Sequence, residues 1–127
     1  MPGKLSKNIF VIDDEEMYST ALEEYITRKS RHTVKLFKTG EECLDELYKT
    51  IPDVIILDYN LSTVVKDAAN GMAILEAIKK IDNNIRVIML SSQESYATAM
   101  NTIKVGAEDY IIKDENSFDR VLVMCNE

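Results

Sequence analysis

Charged and hydroxyl side chains that could do chemistry directly follow the short apolar runs of this sequence. Asp13 and Asp14 follow the first run, Asp58 and Ser91 follow two later runs, and Lys113 follows the last. Three carboxylates that come close together repel one another, so either one of them takes up a proton or a cation joins them. Lys113 would supply only one positive charge to such a cluster.

The chemistry that suits this set of side chains is phosphoryl transfer assisted by a metal ion. Mg²⁺ binds carboxylate oxygens, keeps several waters and takes phosphate oxygens as additional ligands. A carboxylate beside Mg²⁺ and a lysine can accept a phosphoryl group and become an aspartyl phosphate. The four glycines, at Gly3, Gly40, Gly71 and Gly106, form neither a P-loop nor a dinucleotide-binding fingerprint. The phosphoryl donor is therefore expected to be a separate molecule.

The apolar runs predict the strands that must position these side chains. Continuous runs at 9–12, 54–57 and 87–90 are typical of strands that are buried on both faces of a parallel sheet. Residues 33–37 alternate and 110–112 form a shorter run, and we expect strands there too.

Apolar residues at three- and four-residue spacing predict a helix after each strand. The five sets are Tyr18, Ala21, Leu22, Tyr25 and Ile26; Cys43, Leu44, Leu47 and Tyr48; Ile74, Leu75, Ile78 and Ile81; Tyr96, Met100 and Ile103; and Phe118, Val121, Leu122 and Cys125. Residues 39–42 fit a capping box, and Gly106 fits a helix C-terminal cap. Strict alternation of five strands with five helices favours a doubly wound α/β fold. In such folds, functional sites lie beyond the carboxyl ends of the strands.

Composition narrows the class of protein. The 127 residues carry 15 Lys and Arg against 22 Asp and Glu, a net charge of −7. This length is typical of one domain, so residues 1–127 are expected to form a single domain. The acidic balance argues against direct binding of nucleic acid, and no apolar run approaches the ~20 residues that span a membrane. We expect a cytoplasmic protein.

Several remaining residues are expected to be structural. Cys43 and Cys125 lack metal-binding or redox spacing, so we expect two reduced thiols in the core. Met72, Met89 and Met100 are expected to fill the core and not to form a metal site. His32 is expected to lie in a loop between a helix and a strand.

The sequence closely resembles the receiver domain of two-component response regulators over nearly its whole length. The resemblance rests on four blocks at the predicted strand ends, at 9–15, 53–61, 87–92 and 106–113. It implies a flavodoxin-like, five-stranded parallel sheet with helices on both faces and the strand order 2-1-3-4-5 that is known for that family.

Carried over position by position, the resemblance makes Asp58 the phosphoacceptor. It makes Asp14 and Asp58 direct ligands of Mg²⁺, together with the backbone carbonyl of Asn60. It implies that Asp13 interacts with the ion largely through a water molecule. It implies a signalling domain that receives its phosphoryl group from a sensor histidine kinase or a phosphotransfer protein. Such a domain assists its own phosphorylation and dephosphorylation but is not a dedicated enzyme.

The resemblance also implies a switch. Ser91 would move to meet the phosphoryl group, Lys113 would pair with the phosphoryl oxygens, and the rotamer of Tyr110 would follow. The face built from the fourth helix, fifth strand and fifth helix would then change its preference for partners. The expected partners are a downstream protein, an output domain fused outside this chain, or a second copy that associates on phosphorylation.

Other interpretations of the same residues stay open. Asp13 and Asp14 could simply favour a helix N-terminus, Ser91 could cap a helix, and Tyr110 could be a core aromatic. One alternative function is a Mg²⁺-dependent phosphatase or phosphotransferase that acts on small molecules through an aspartyl phosphate. It is disfavoured because Asn60 stands where a second carboxylate would act as acid or base. Another alternative is an interaction module that does not depend on phosphorylation.

The sequence departs from the family pattern in two places. Ser62 replaces the usual proline, and residues 61–70 make the following segment several residues longer. Asp114 follows Lys113 where the family normally has a proline after a cis bond. Because a cis bond before a residue other than proline costs ~3 kcal/mol, we predict a trans bond there.

Overall fold

Five parallel strands form one sheet in the computed structural model, which describes residues 5–61 and 70–127. The strands are β1 (Asn8–Ile12), β2 (Thr33–Phe37), β3 (Val54–Asp58), β4 (Arg86–Ser91) and β5 (Asp109–Ile112). The helices are α1 (Glu16–Lys29), α2 (Gly40–Leu47), α3 (Gly71–Ile81), α4 (Tyr96–Val105) and α5 (Ser117–Asn126). The strand order is β2-β1-β3-β4-β5, which confirms the expected fold.

Two hydrophobic cores explain the continuous apolar runs. Successive side chains of a strand point to opposite faces of the sheet, so a strand covered on both faces is apolar at every position. Ile55 and Leu57 of β3 pack in a core with residues of α2 and α3, while Val54 and Ile56 pack in a second core with residues of α1 and α5. All four side chains are fully buried. Burial on this scale stabilises the sheet by ~1.5–3 kcal/mol for each large side chain.

The strand register brings the expected carboxyl ends to one edge of the sheet. Ile12 of β1 pairs with Leu57 of β3, and Ser91 of β4 pairs with Ile112 of β5. Asp58 is the last residue of β3 and Ser91 is the last residue of β4. Each of these two strands therefore ends one residue later than the apolar run that predicted it.

Side-chain capping and glycine residues determine where α2 and α3 begin and where α4 ends. Thr39 caps α2 by accepting a hydrogen bond from the Glu42 backbone N–H (3.2 Å), and Gly106 ends α4 with a φ of 133°, so both capping predictions are confirmed. Gly71 begins α3 against the backbone of β3, where a Cβ atom would lie 2.6 Å from the Asp58 carbonyl oxygen. Glycine is therefore required for α3 to pack this closely beside Asp58.

The expectations for individual core residues are confirmed with one exception. Cys43 and Cys125 are buried free thiols, Met89 is fully buried, and Met72 is partly buried against the core. Met100 is 51% exposed, so its assignment to the core was wrong. The reason is that α4 buries Thr102, while the apolar set at Tyr96, Met100 and Ile103 is exposed to solvent.

His32 lies in the loop between α1 and β2, as expected, but it is buried. Its Nδ1 accepts a hydrogen bond from the Lys7 backbone N–H (3.0 Å), and its Nε2 pairs with Oδ1 of Asn126 (2.8 Å). His32 therefore ties the end of α5 to the start of β1.

The two departures from the family pattern have different outcomes. Described residues contain no cis peptide bond, which confirms the trans bond between Lys113 and Asp114. Ser62 and most of the longer segment at 61–70 lie outside the described residues. None of the described helices has the length and apolar character needed to cross a membrane.

Candidate functional site

Three carboxylates from two neighbouring strands meet at the carboxyl edge of the sheet. Asp13 and Asp14 follow β1, and Asp58 ends β3. One carboxylate oxygen from each residue lies within 4.8 Å of the other two. Asp13 and Asp58 are only 2% and 1% exposed. The expectation that these acidic groups gather at one place is therefore confirmed.

Lys113 brings a positive charge to this cluster from the loop after β5. Its Nζ lies 2.9 Å from Oδ2 of Asp13 and 3.6 Å from Oδ2 of Asp58. The same ammonium group donates a hydrogen bond to Oε1 of Glu15 (2.8 Å). Glu15 was missed by the sequence interpretation, and the only signal for it was its position directly after the Asp13-Asp14 pair.

Burial makes the cluster electrostatically unfavourable in its fully ionised form. It raises the pKa of Asp58 to about 7, and the charge of Asp13 adds to that rise, whereas Lys113 and the Asn60 backbone N–H oppose it. Burial also raises the pKa of Asp13. Burial alone would lower the pKa of Lys113, but hydrogen bonds to Glu15 and Asp13 outweigh it and the pKa is raised. The ammonium group therefore stays charged.

The donor set fits a divalent cation that prefers oxygen ligands. When all four groups are ionised, the three aspartates and Lys113 together carry a net negative charge, which a bound cation would balance. Carboxylate oxygens are hard donors of the kind that Mg²⁺ takes, and no soft sulfur donor belongs to the cluster. A bound cation would favour the ionised form of Asp58 and so oppose the burial and the charge of Asp13, which together raise the pKa of Asp58.

Asn60 links the acidic cluster to the end of β4. Its backbone N–H donates a hydrogen bond to Oδ1 of Asp58 (3.0 Å), which orients that carboxylate. Its side-chain Oδ1 accepts from the backbone N–H and the hydroxyl of Ser92, at 3.4 and 3.3 Å, and lies 3.5 Å from the hydroxyl of Ser91. Ser91 is completely buried, and its Oγ accepts from the Gln93 backbone N–H (3.1 Å).

Tyr110 on β5 is joined to the same loop. Its hydroxyl donates a hydrogen bond to the backbone carbonyl of Gln93 (2.8 Å), and its ring is partly buried against the core. A cavity of about 230 Å³ opens beside it, with Tyr96 and Ala99 of α4 among its lining residues. Tyr110 therefore connects the loop that follows Ser91 with the surface of α4.

Comparison with known proteins identifies the family of this chain. A family model described as the response regulator receiver domain matches residues 9–123. The chain belongs to this family. Receiver domains are signalling domains of two-component systems, and the three aspartates of the acidic edge lie within the matched residues of this chain.

Individual relatives differ in length around the shared receiver domain. The chemotaxis protein CheY of Thermotoga maritima is 26% identical over 109 residues, which are 86% of this chain and 87% of CheY. The transcriptional regulatory protein PrrA of Mycobacterium leprae is 30% identical over 111 residues, and the match covers 87% of this chain but 45% of PrrA. The chain thus spans less than half the length of that regulator.

Among solved structures, the BeF₃-activated DrrB receiver domain superposes on this receiver domain with a TM-score of 0.80. The two chains are 25% identical, and the match covers 94% of each.

Proposed function

We propose that this receiver domain accepts a phosphoryl group on Asp58 from a phosphohistidine of a sensor histidine kinase or a phosphotransfer protein. The observation that carries the proposal is the meeting of Asp13, Asp14 and Asp58 with Lys113 at one edge of the sheet. A cytoplasmic location, and residues 1–127 acting as a single domain, belong to the same proposal.

The transfer is a substitution at phosphorus. A carboxylate oxygen of Asp58 bonds to the phosphorus atom while the P–N bond of the phosphohistidine breaks. The departing imidazole nitrogen keeps the electron pair and takes up a proton, and the product is an acyl phosphate. The Asn60 backbone N–H orients the attacking carboxylate, and Lys113 places a positive charge where the phosphoryl oxygens arrive.

Asp14, Asp58 and the backbone carbonyl of Asn60 would hold a Mg²⁺ ion, and Asp13 would act through water. When bound, this ion neutralises phosphoryl oxygens and so lowers the barrier to transfer. In this arrangement Asp13 would keep its buried contact with Lys113.

Labelling with a small phosphodonor tests the proposed function. After incubation with acetyl phosphate and Mg²⁺, intact-mass measurement should show one added phosphoryl group, and peptide mapping should place it on Asp58. EDTA should prevent the labelling. Steady turnover of varied phosphate esters would instead favour the small-molecule phosphatase or phosphotransferase, and the absence of both would favour an interaction module that does not depend on phosphorylation.

The surface that would report phosphorylation is the face formed by α4, β5 and α5. Tyr96 of α4 is 82% exposed although it is aromatic, and Met100 and Ile103 extend the same apolar patch. Tyr110 connects this patch to the loop after Ser91 through its hydrogen bond to Gln93. We propose that a downstream protein, a fused output domain or a second copy of the domain binds here.

Amide chemical shifts test this connection. Beryllofluoride with Mg²⁺ should shift the amide signals of the loop after β4, of Tyr110 and of several residues along α4. The Tyr110→Phe variant lacks the hydroxyl that donates to Gln93 and should show smaller shifts along α4 but equal shifts beside Asp58. Wild-type shifts confined to the surroundings of Asp58 would contradict a switch on this face.

A further inference from the structure

We propose that Glu15 is a positioning residue that holds the ammonium group of Lys113 away from Asp58. The lysine leaves Glu15 for Asp58 when a phosphoryl group is transferred to Asp58. This inference rests on the proposed function, because it assigns to Glu15 a role in the phosphorylation of Asp58. It concerns a contact between residues that are 98 positions apart in the chain.

The distances around Lys113 show which carboxylates contact its ammonium group most closely. Nζ lies 2.8 Å from Oε1 of Glu15 and 2.9 Å from Oδ2 of Asp13, but 3.6 Å from Oδ2 of Asp58. A separation of 3.6 Å is beyond hydrogen-bond range. The lysine is therefore paired more closely with Glu15 and Asp13 than with Asp58, the residue that would carry the phosphoryl group.

Glu15 is held in place for this contact by its backbone. It is the N-cap residue of α1, and its N–H donates to Oδ1 of Asp13 (2.8 Å). An N-cap side chain often accepts a hydrogen bond from the first turn of its helix, but that of Glu15 makes no such bond and reaches Lys113 instead. Three residues further on, the Tyr18 ring lies 4.6 Å from Nζ. The first turn of α1 thus forms one wall around the ammonium group.

The difference in exposure between the two partners makes the contact reversible. The side chain of Glu15 is 60% exposed, whereas that of Lys113 is 7% exposed. Glu15 can turn into solvent without leaving its charge buried, while Lys113 needs an anionic partner at all times. A phosphoryl group on Asp58 carries up to about two negative charges and would outcompete the single charge of Glu15. During transfer Lys113 has to leave Glu15 to reach the phosphoryl oxygens, so the contact with Glu15 slows phosphorylation.

The rate of phosphorylation by phosphoramidate at saturating Mg²⁺ tests the inference. In this reaction an Asp58 oxygen bonds to phosphorus as the P–N bond breaks, and the protonated nitrogen leaves with the electron pair as ammonia. Intact-mass measurement over time gives the rate. Because partly exposed ion pairs have modest strength, Glu15→Gln should accelerate phosphorylation about three- to fivefold.

Two matched variants separate the contact from the general effect of charge. Glu16→Gln removes the same charge from the next residue, whose carboxylate lies near Lys38 and not near Lys113, so its rate should stay at the wild-type value. Glu15→Asp keeps the charge but shortens the side chain, and it should be accelerated like Glu15→Gln. The NMR signal of the Lys113 ammonium group in the unphosphorylated protein should move in both Glu15 variants and not in Glu16→Gln.

Three results would overturn the inference while leaving the proposed function intact. These are an unchanged rate for Glu15→Gln, an equal acceleration in Glu16→Gln, or a wild-type rate in Glu15→Asp. If the wild-type chain itself gains no phosphoryl group, the proposed function fails, and the role of Glu15 fails with it.

Discussion

Replacement of Asp58 by asparagine is expected to reduce phosphorylation by acetyl phosphate by more than about 100-fold. An amide oxygen is a far poorer nucleophile than a carboxylate, and no acyl phosphate can form on it. The amide still accepts the hydrogen bond from the Asn60 backbone N–H, so the loop after β3 should keep its conformation. The measurement is intact mass after incubation with acetyl phosphate and Mg²⁺.

Asp53→Asn is the matched control, because Asp53 directly precedes β3 and lies at the opposite end of it from Asp58. Its Oδ2 accepts a hydrogen bond from the Asn8 backbone N–H (2.8 Å), which an asparagine oxygen can also accept. This variant should be phosphorylated like the wild type. Labelling of Asp58→Asn at the wild-type rate would contradict the assignment of Asp58 and would direct attention to Asp13 or Asp14.

The second large effect is expected in the metal-free domain, whose stability should fall as the pH rises from about 5 to about 8. Burial, together with the charge of Asp13, raises the pKa of Asp58 from 3.8 to about 7 in the folded chain. A carboxyl group whose pKa is higher in the folded than in the unfolded chain stabilises the fold in its protonated form. That contribution is fully present below the unfolded pKa and is lost as the pH rises through about 7. The free energy of unfolding should decrease by an amount on the order of a few kcal/mol.

Urea unfolding between these pH values, in EDTA and in Mg²⁺, measures this effect. Mg²⁺ should restore stability at the higher pH, since an ion that binds only the folded chain stabilises it and compensates the carboxylate charges. Asp58→Asn should be more stable than the wild type at high pH without metal, and its stability should depend less on pH. If Asp58→Asn and the wild type lose stability equally as the pH rises, Asp58 is not the group responsible.

The strands and the acidic residues at their ends could be predicted from the sequence because both depend on local patterns. The continuous apolar run before Asp58 can be buried only where both faces of a strand are covered, as β3 is. Once the strands are parallel and neighbouring, Asp13 and Asp58 must come to the same edge. The order of the strands was inferred from the resemblance to receiver domains and not from these patterns.

Helix periodicity predicted α4 but misjudged which of its residues are buried. Tyr96, Met100 and Ile103 repeat at helical spacing, which indicates an apolar stripe but not what covers it. In the folded chain α4 buries Thr102 and leaves the stripe exposed. Only the placement of α4 beside β5 decides this, since exposure depends on neighbouring elements.

The sequence by itself determined that carboxylates and a lysine would stand at strand ends, and hence the chemical class of the site. Tertiary structure decided which of them touch. Lys113 meets Glu15 and Asp13 more closely than Asp58, and Tyr110 bonds to Gln93. Differences of less than 1 Å in these contacts arise from strand register, loop path and side-chain rotamer acting together. No local pattern of residues carries that information, because each contact joins segments that only the complete fold brings together.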